Sequence, residues 1–274
     1  MNEYRFLFLK LNVWLCLASA LMVAISALAL SVPLRSVGVG LVLPPLLFYF
    51  IYVEDRRDVS PEDEINHPRR TALVRRYGYP LLVTELLALV GYEALLAWLV
   101  LGRPQAGIAV VVLGQLPLLV LAVYGHLKRH PAFDSIAVGA TWAFVTVFSL
   151  VVATSRGFDP ELGWIALAWF AIVFAGVESR NVPDAEGDAE TDRTTLAGHL
   201  GRGPTTVLIV LLKASGVLLF WAMAGEPVAG LAVGYLVLLR LFRTVTRRAE
   251  DRSGETRRSD GLDREVVTTD RGLQ

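Results

Sequence analysis

The chain has 274 residues, of which 54% are hydrophobic and 19% are charged, and its formal net charge is zero. A soluble domain carries roughly a quarter charged residues, whereas here the charges are clustered and leave long stretches almost uncharged. This composition excludes a disordered chain, a coiled coil and an ordinary soluble enzyme. The neutral balance indicates no nucleic-acid partner, and the single cysteine excludes an internal disulfide.

Apolar runs close to the thickness of a bilayer core, about 20 residues, recur along the chain. We predict eight membrane spans, at approximately residues 13–32, 37–53, 80–101, 106–124, 135–154, 162–177, 205–223 and 228–242. Strands of a transmembrane barrel would alternate in polarity over about 10 residues, and these runs do not. The predicted fold class is therefore all-α, a polytopic transmembrane helical bundle in residues 1–245.

The distribution of lysine and arginine predicts the orientation of the spans. With a cytoplasmic N-terminus, 22 of the 26 basic residues fall in cytoplasmic segments, and the outside loops hold only Arg35, Arg103 and Arg156. Because cytoplasmic loops of membrane proteins carry the excess of Lys and Arg, we expect a multi-pass protein of the cell membrane with both termini cytoplasmic. Residues 246–274 are rich in Arg, Asp and Glu, which predicts a disordered cytoplasmic tail able to contact membrane lipid.

Two acidic segments follow the second and sixth predicted spans. Four spans separate them, so both are expected on the cytoplasmic face of the bundle. In the second segment Asp184, Asp188 and Asp192 recur every four residues and would share one face of a helix. Like charges so placed repel each other unless a cation lies between them, and carboxylate oxygens suit Mg²⁺ together with substrate phosphates. The alternative interpretation is a solvated acidic loop.

The residues around the second acidic segment match a known pattern. Residues 180–188 read RNVPDAEGD, and Thr195-Leu196 follows seven residues after the last Asp. This segment resembles the second aspartate motif, D-x-x-D-x-E-G-D, of the UbiA family of membrane prenyltransferases. Asp184 and Asp188 fall on aspartates of that motif, and Asn181 replaces its first Asp.

The first acidic segment resembles the other aspartate motif of that family less closely. Residues 66–70 fit the end of that motif and place Asp63 on its last Asp. In this register Val59 stands where the motif has its middle Asp, and Asp55 stands where it has its leading Asn. A shifted register with an insertion would instead place Asp55 on the middle Asp. Asp58 is the candidate substitute for the missing carboxylate, so the number of bound metal ions stays open.

A third segment resembles the family loop between spans four and five, in which basic residues approach the diphosphate. It contains Tyr124, Lys128 and Arg129, followed by Asp134-Ser135. The alternative is that Lys128 and Arg129 are ordinary positive-inside residues. Members of the family usually have nine spans, and only eight are recognisable here.

The resemblance implies Mg²⁺-dependent transfer of an isoprenoid chain from its diphosphate to a lipophilic acceptor inside the membrane. It assigns Asp55, Asp63, Asp184 and Asp188 to catalysis through Mg²⁺-diphosphate binding, with Asp58 and Asp192 as further metal ligands. The substrate contacts that it implies are Lys128, Arg129, Asn181 and Tyr124.

Two other interpretations remain open from the sequence. Glu85 and Glu93 lie in the third span and Lys213 in the seventh, where charges are costly and often functional. A transporter would use these three residues for coupling, whereas a structural role would pair Lys213 with one of the glutamates. An inactive family member is also compatible with the imperfect first motif. A CDP-alcohol phosphotransferase fits poorly, because residues 180–183 replace the Asp-Gly and Ala-Arg pairs that such enzymes need.

Overall fold

The structure, a computed structural model, describes residues 8–9, 11–59, 68–102, 107–127, 132–154, 156–157, 159–189 and 195–269. For residues 68–69, 125–127, 184–189 and 247–269 it describes the backbone alone. The described residues form helices and no strands, so the predicted all-α bundle is confirmed.

The described chain before Gln115 is mostly helical, and its last helix begins a broken span. Helix α1 is Val13–Ala29, and a short 3₁₀ turn at Leu34–Val37 leads into α2, Gly38–Arg57. Helices α3, Pro68–Arg76, and α4, Gly78–Leu101, follow. Helix α5, Gly107–Gly114, comes next.

The described chain after Gln115 contains the two longest described helices. Helix α6 is Leu116–Leu127, α7 is Phe133–Thr154 and α8 is Pro160–Ala189. Asp159 caps α8, because its Oδ1 accepts a hydrogen bond from the Leu162 N–H at 3.1 Å and Pro160 occupies the first helical position. Helix α9, Leu196–Leu200, and α10, Arg202–Thr269, complete the described chain.

Each of the eight predicted spans falls largely in helix among the described residues. By length and composition, six described helical segments could cross a membrane: Leu34–Arg57, Gly78–Leu101, Gly107–Tyr124, Phe133–Thr154, Pro160–Pro183 and Arg202–Thr246. The last has 45 residues and contains the seventh and eighth predicted spans, and the shorter α1 corresponds to the first. The α10 backbone is helical to Thr269. The sequence instead predicts a disordered tail that begins at residue 246. The disorder of that tail stays a prediction.

The fourth predicted span is interrupted at Gln115, between α5 and α6. Pro117 has no N–H to donate to the turn before it, so the regular ladder cannot continue there. The Tyr92 hydroxyl of α4 donates a hydrogen bond of 2.8 Å to the Gly114 carbonyl, and Gln115 Nε2 donates to both Glu93 carboxylate oxygens at 3.0 and 3.1 Å. Polar groups released by the break are therefore satisfied by α4, as the bilayer requires.

Helix α10 bends sharply at Gly225, which has a φ of 77° and a ψ of −171°. This region of backbone conformation strongly favours glycine. The bend divides α10 into a first arm, residues 202–224, and a second arm, residues 226–246. Phe220 of the first arm and Tyr235 of the second both pack edge-on against Trp169 of α8, at 5.0 and 5.1 Å between ring centroids. The two arms therefore form a hairpin against α8.

The centre of the bundle lies where α1, α2, α7 and α8 meet. Phe48 of α2 stacks on Trp142 of α7 with 4.1 Å between ring centroids. Trp169 Nε1 donates a hydrogen bond of 2.7 Å to Ser26 Oγ of α1. Large apolar side chains such as Leu87 and Ile108 are exposed on the outer surface. A buried aromatic centre and an apolar exterior are what a helical membrane protein requires.

Candidate active site

An apolar cleft opens between α2, α6 and α7, with an empty volume of about 540 Å³ that includes open solvent. Four side chains from each helix line it: Phe48, Ile51, Tyr52 and Asp55; Pro117, Val120, Leu121 and Tyr124; Ala137, Val138, Thr141 and Trp142. Phe48, Tyr52 and Asp55 are spaced by four and three residues, which places them on one face of α2. Asp55 is the acidic residue in this lining, and it lies at the end of α2, where the cleft begins.

Cationic groups lie beside Asp55. The Arg56 Nε atom is 3.8 Å from Asp55 Oδ2, and it has no hydrogen-bond partner among the described atoms although it is buried. The charges of Arg56 and of Arg180 from α8 both act on the Tyr52 hydroxyl inside the cleft. The cleft therefore combines an apolar wall with one carboxylate, Asp55, beside which the Arg56 guanidinium lies.

A buried polar cluster joins the start of α7 to the end of α8. The Ser135 hydroxyl donates a hydrogen bond of 2.5 Å to Glu178 Oε1 and also lies 3.3 Å from Asp134 Oδ1. Asp134 Oδ1 accepts the Ser135 backbone N–H at 2.7 Å, and Asp134 Oδ2 accepts Asn181 Nδ2 at 3.3 Å. The side chains of Ser135 and Glu178 are fully buried.

This cluster establishes which helix ends are neighbours. Ser135 precedes Ala137 and Val138, which line the cleft with Asp55, by less than one helical turn. Glu178 precedes residue 184 of α8 by less than two turns. The end of α2, the start of α7 and the end of α8 therefore lie at the same end of the bundle, called the mouth end below.

The structure brings two predicted site residues to the cleft, Asp55 and Tyr124. Asp58 follows the end of α2 and is exposed, and Asn181 belongs to the polar cluster. The α8 backbone includes Asp184 and Asp188, but their side chains are not among those that the structure describes. Four further predicted residues lie wholly outside the described residues: Asp63, Lys128, Arg129 and Asp192. That these groups converge on one ligand stays a prediction.

Within the described part of the chain, no three His, Cys, Asp or Glu side chains come together as a metal site. Asp55 nevertheless supplies the hard oxygen donor that Mg²⁺ prefers, beside a cleft with cationic groups. The described residues thus fit one carboxylate ligand of such an ion.

The expected pairing of Lys213 with a glutamate of the third span is wrong. Arg57, at the end of α2, forms an ion pair with the buried Glu85, and it also donates to Glu54 Oε2 at 2.8 Å. Glu93 accepts from Gln115, as described above. Both glutamates therefore stabilise contacts of α4 with its neighbours, because α2 and α5 pack on it, whereas the arm carrying Lys213 makes no comparable contact with it.

The sequence interpretation also missed the position of Arg56 and the bridging role of Ser135. Arg56 was counted only among the positive-inside residues, and no pattern in one sequence tells which residue of a basic helix end faces a cleft. A sequence feature did mark Ser135, since Asp134-Ser135 belongs to the segment that resembles the family loop. No sequence feature marked its partner Glu178.

The family-model comparison agrees with the resemblance. The model of the UbiA prenyltransferase family matches residues 62–260. A structure of digeranylgeranylglyceryl phosphate synthase in membranes aligns with a TM-score of 0.49 and 16% identity, over 90% of this chain and 96% of that one. A UbiA homolog from Archaeoglobus fulgidus bound to DMAPP and Mg²⁺ aligns with a TM-score of 0.49 and 17% identity, over 90% of this chain and 87% of that one. Among curated proteins no match to the chain was found.

Proposed function

We propose that this chain, which belongs to the UbiA prenyltransferase family, moves an isoprenoid chain from its diphosphate to a lipophilic acceptor within the membrane. The observation that carries the proposal is the cleft, whose apolar wall ends at Asp55 with Arg56 beside it. An amphipathic substrate with a long apolar tail and an anionic head needs both parts in one place. The chain is a multi-pass membrane protein by family and by its apolar helices.

In this proposal the anionic head of the prenyl donor binds at the mouth end. Arg56 and Arg180 attract the diphosphate, and Tyr124, Asn181, Lys128 and Arg129 contact it. Asp55, Asp63, Asp184 and Asp188 would hold Mg²⁺, with Asp58 and Asp192 as additional ligands. When bound, Mg²⁺ would neutralise part of the negative charge that develops on the leaving diphosphate.

The prenyl tail occupies the apolar part of the cleft. When the allylic C–O bond breaks, its electron pair leaves with the diphosphate, and the guanidinium groups stabilise that charge. The carbon left behind is electron-deficient and would be captured by water in an open site. The stacked rings of Phe48 and Trp142 line the cleft, exclude water and present electron-rich faces to a cation. The acceptor forms the new bond to carbon and loses a proton.

The proposal is tested with purified protein in detergent, a labelled prenyl diphosphate and a panel of lipophilic acceptors, with Mg²⁺ or with EDTA. We expect diphosphate release only with Mg²⁺, and a loss of at least about 100-fold in Asp55→Asn, Asp184→Asn and Asp188→Asn. Glu161→Gln is the matched control, since it removes an exposed carboxylate at the first turn of α8, far from the mouth end.

Two results would contradict the proposal. Wild-type turnover in the three aspartate variants would remove the site assignment. Binding of prenyl diphosphate without turnover under every condition would favour an inactive family member. A transporter has less support than a prenyltransferase, because Glu85 and Glu93 each stabilise a helix contact.

A further inference from the structure

The cleft is open at the mouth end and closed at its inner end. Asp55 and Tyr124 line the mouth end and are partly exposed. Phe48, Pro117 and Trp142 line the inner end and are buried, with exposed fractions of 1% for Phe48 and 4% for Trp142. These three buried residues form the cleft floor.

Helix geometry gives the depth of the cleft. Phe48 precedes Asp55 by seven residues of α2, and Pro117 precedes Tyr124 by seven residues of α6. At a rise of about 1.5 Å per residue, both helices place the cleft floor about 10 Å from the mouth end. Two helices therefore give the same depth independently.

The cleft floor consists of rings in contact with one another. The rings of Phe48 and Trp142 are stacked, with 4.1 Å between centroids and 18° between planes, so that no carbon chain can pass between them. Pro117 lies just after the break in the fourth span, where the Tyr92 hydroxyl holds the Gly114 carbonyl. The floor is therefore fixed to the backbone of three helices.

The bundle is also filled behind the cleft floor. Gly114 lies about one turn deeper than Pro117 in the interrupted span. A Cβ atom on Gly114 would lie 2.6 Å from Leu96 Cδ1 and 3.5 Å from Phe148 Cζ. Since not even a methyl group fits there without displacing Leu96, the cleft does not continue past Gly114 among the described residues.

We propose that the donor is a prenyl diphosphate of one or two isoprene units, and that the cleft floor sets this limit. The inference rests on the proposed function, in which the diphosphate lies beside Asp55 and the tail enters the cleft. An isoprene unit adds four carbon–carbon bonds of about 1.5 Å along the chain, so an extended unit advances about 5 Å. Two units therefore span the cleft, and a third would collide with Phe48 and Trp142.

The test measures binding of four prenyl thiolodiphosphates to the full chain in detergent with Mg²⁺. Their chains are dimethylallyl, geranyl, farnesyl and geranylgeranyl, and sulfur replaces the bridging oxygen so that binding is read without turnover. Each unit that enters the cleft buries five further carbons. We therefore expect at least about a tenfold gain in affinity from dimethylallyl to geranyl, and no further gain with farnesyl or geranylgeranyl.

Variants of the cleft lining should move this limit in both directions. Phe48→Leu and Trp142→Phe each reduce the floor, so the gain in affinity should extend to farnesyl. Thr141→Phe adds a ring to the lining directly beside Trp142 and should shift the preference toward dimethylallyl. Longer chains also partition into detergent micelles, but this effect is the same for every variant. The change in the affinity ratio relative to wild type therefore reports the cleft floor alone.

Phe144→Leu is the matched control. Phe144 is also on α7 and belongs to another ring pair, with 5.7 Å between its centroid and that of Phe148, and it is not among the residues that line the cleft. Its affinity ratios should equal those of the wild type. Retained binding of the dimethylallyl compound shows that Phe48→Leu and Trp142→Phe are folded, and Thr141→Phe tests the floor without removing any ring from it.

Two results would overturn the inference. The first is a wild-type affinity that keeps rising to geranylgeranyl, which would mean that the tail leaves the cleft for the lipid. The second is an unchanged ratio of geranyl to farnesyl affinity in both Phe48→Leu and Thr141→Phe. Turnover of the four natural diphosphates separates this inference from the proposed function. The expected binding limit without product would contradict prenyl transfer alone, whereas equal transfer from all four donors would contradict the limit alone.

Discussion

Ser135 shows how much of the site depends on one hydroxyl. It bridges Glu178 and Asp134, two acidic residues that are buried at the contact between α7 and α8. The second carboxylate oxygen of Glu178 has no hydrogen-bond partner among the described atoms. Ser135 is therefore the described donor that makes burial of Glu178 tolerable.

Replacing Ser135 by Ala should leave both Glu178 oxygens without a donor. Because an unsatisfied buried polar group costs about 1–3 kcal/mol, we expect Ser135→Ala to lower the Tm of the purified protein. Ser215→Ala is the control, since the exposed Ser215 hydroxyl donates only to Leu212 of its own helix, at 2.9 Å. Equal Tm values for the two variants would show that the bridge does not stabilise the α7–α8 contact.

Single residues also show where sequence interpretation stops. Asp55 and Tyr124 were singled out from motif resemblance, and both line the cleft. The pairing of Lys213 with Glu85 or Glu93 was wrong, because hydropathy gives the depth of a residue but not the neighbour that its helix faces. Arg57 is the actual partner of Glu85 and lies on a helix that packs beside α4.

At the scale of helices, the apolar runs of the sequence predicted where the helices lie. They did not predict where a helix is interrupted. Each of the eight runs corresponds to helical backbone, because about 20 apolar residues have few alternatives in a bilayer. The break at Gln115 was missed, since it depends on hydrogen bonds with another helix, α4. The hairpin of α10 was predicted as two spans, and Gly225 and Pro227 between them are the local signal.

The hairpin depends on a close approach at Gly216. A Cβ atom on Gly216 would lie 2.6 Å from Ile172 Cγ1 and 2.8 Å from the Ala168 carbonyl oxygen of α8. Because a backbone oxygen cannot move aside cheaply, Gly216→Ala should separate the first arm from α8 and cost about 1–3 kcal/mol. Thermal unfolding of the purified protein measures this loss.

Gly234 in the second arm is the matched position for that experiment. A Cβ atom there meets nothing within 4 Å, and alanine favours a helix over glycine by about 0.5–1 kcal/mol. Gly234→Ala should therefore leave the Tm unchanged or raise it. If Gly216→Ala behaves in the same way, the first arm is not packed against α8 as closely as described.

The whole molecule gathers two polar features at one end of an apolar bundle. The cleft lies between α2, α6 and α7, and the hydrogen bond of Ser135 to Glu178 joins α7 to α8 beside it. The parity of the spans predicted that the two acidic segments share one face, and the ends of α2 and α8 do lie at the same end. The cleft itself was not predictable from the sequence, because its shape depends on which side chains of three helices face one another.

The proposed orientation makes a prediction for the intact membrane. Arg35 and Asp58 are exposed at opposite ends of α2, and the excess of basic residues places the Asp58 end in the cytoplasm. In a Cys16→Ala background, a membrane-impermeant maleimide should label Arg35→Cys in intact cells and Asp58→Cys only after permeabilisation. Since Cys16 is buried, its removal affects the background of the assay and not the two ends. Labelling of Asp58→Cys in intact cells, with Arg35→Cys protected, would mean that the mouth end faces outward and that a prenyl donor made in the cytoplasm could not enter there.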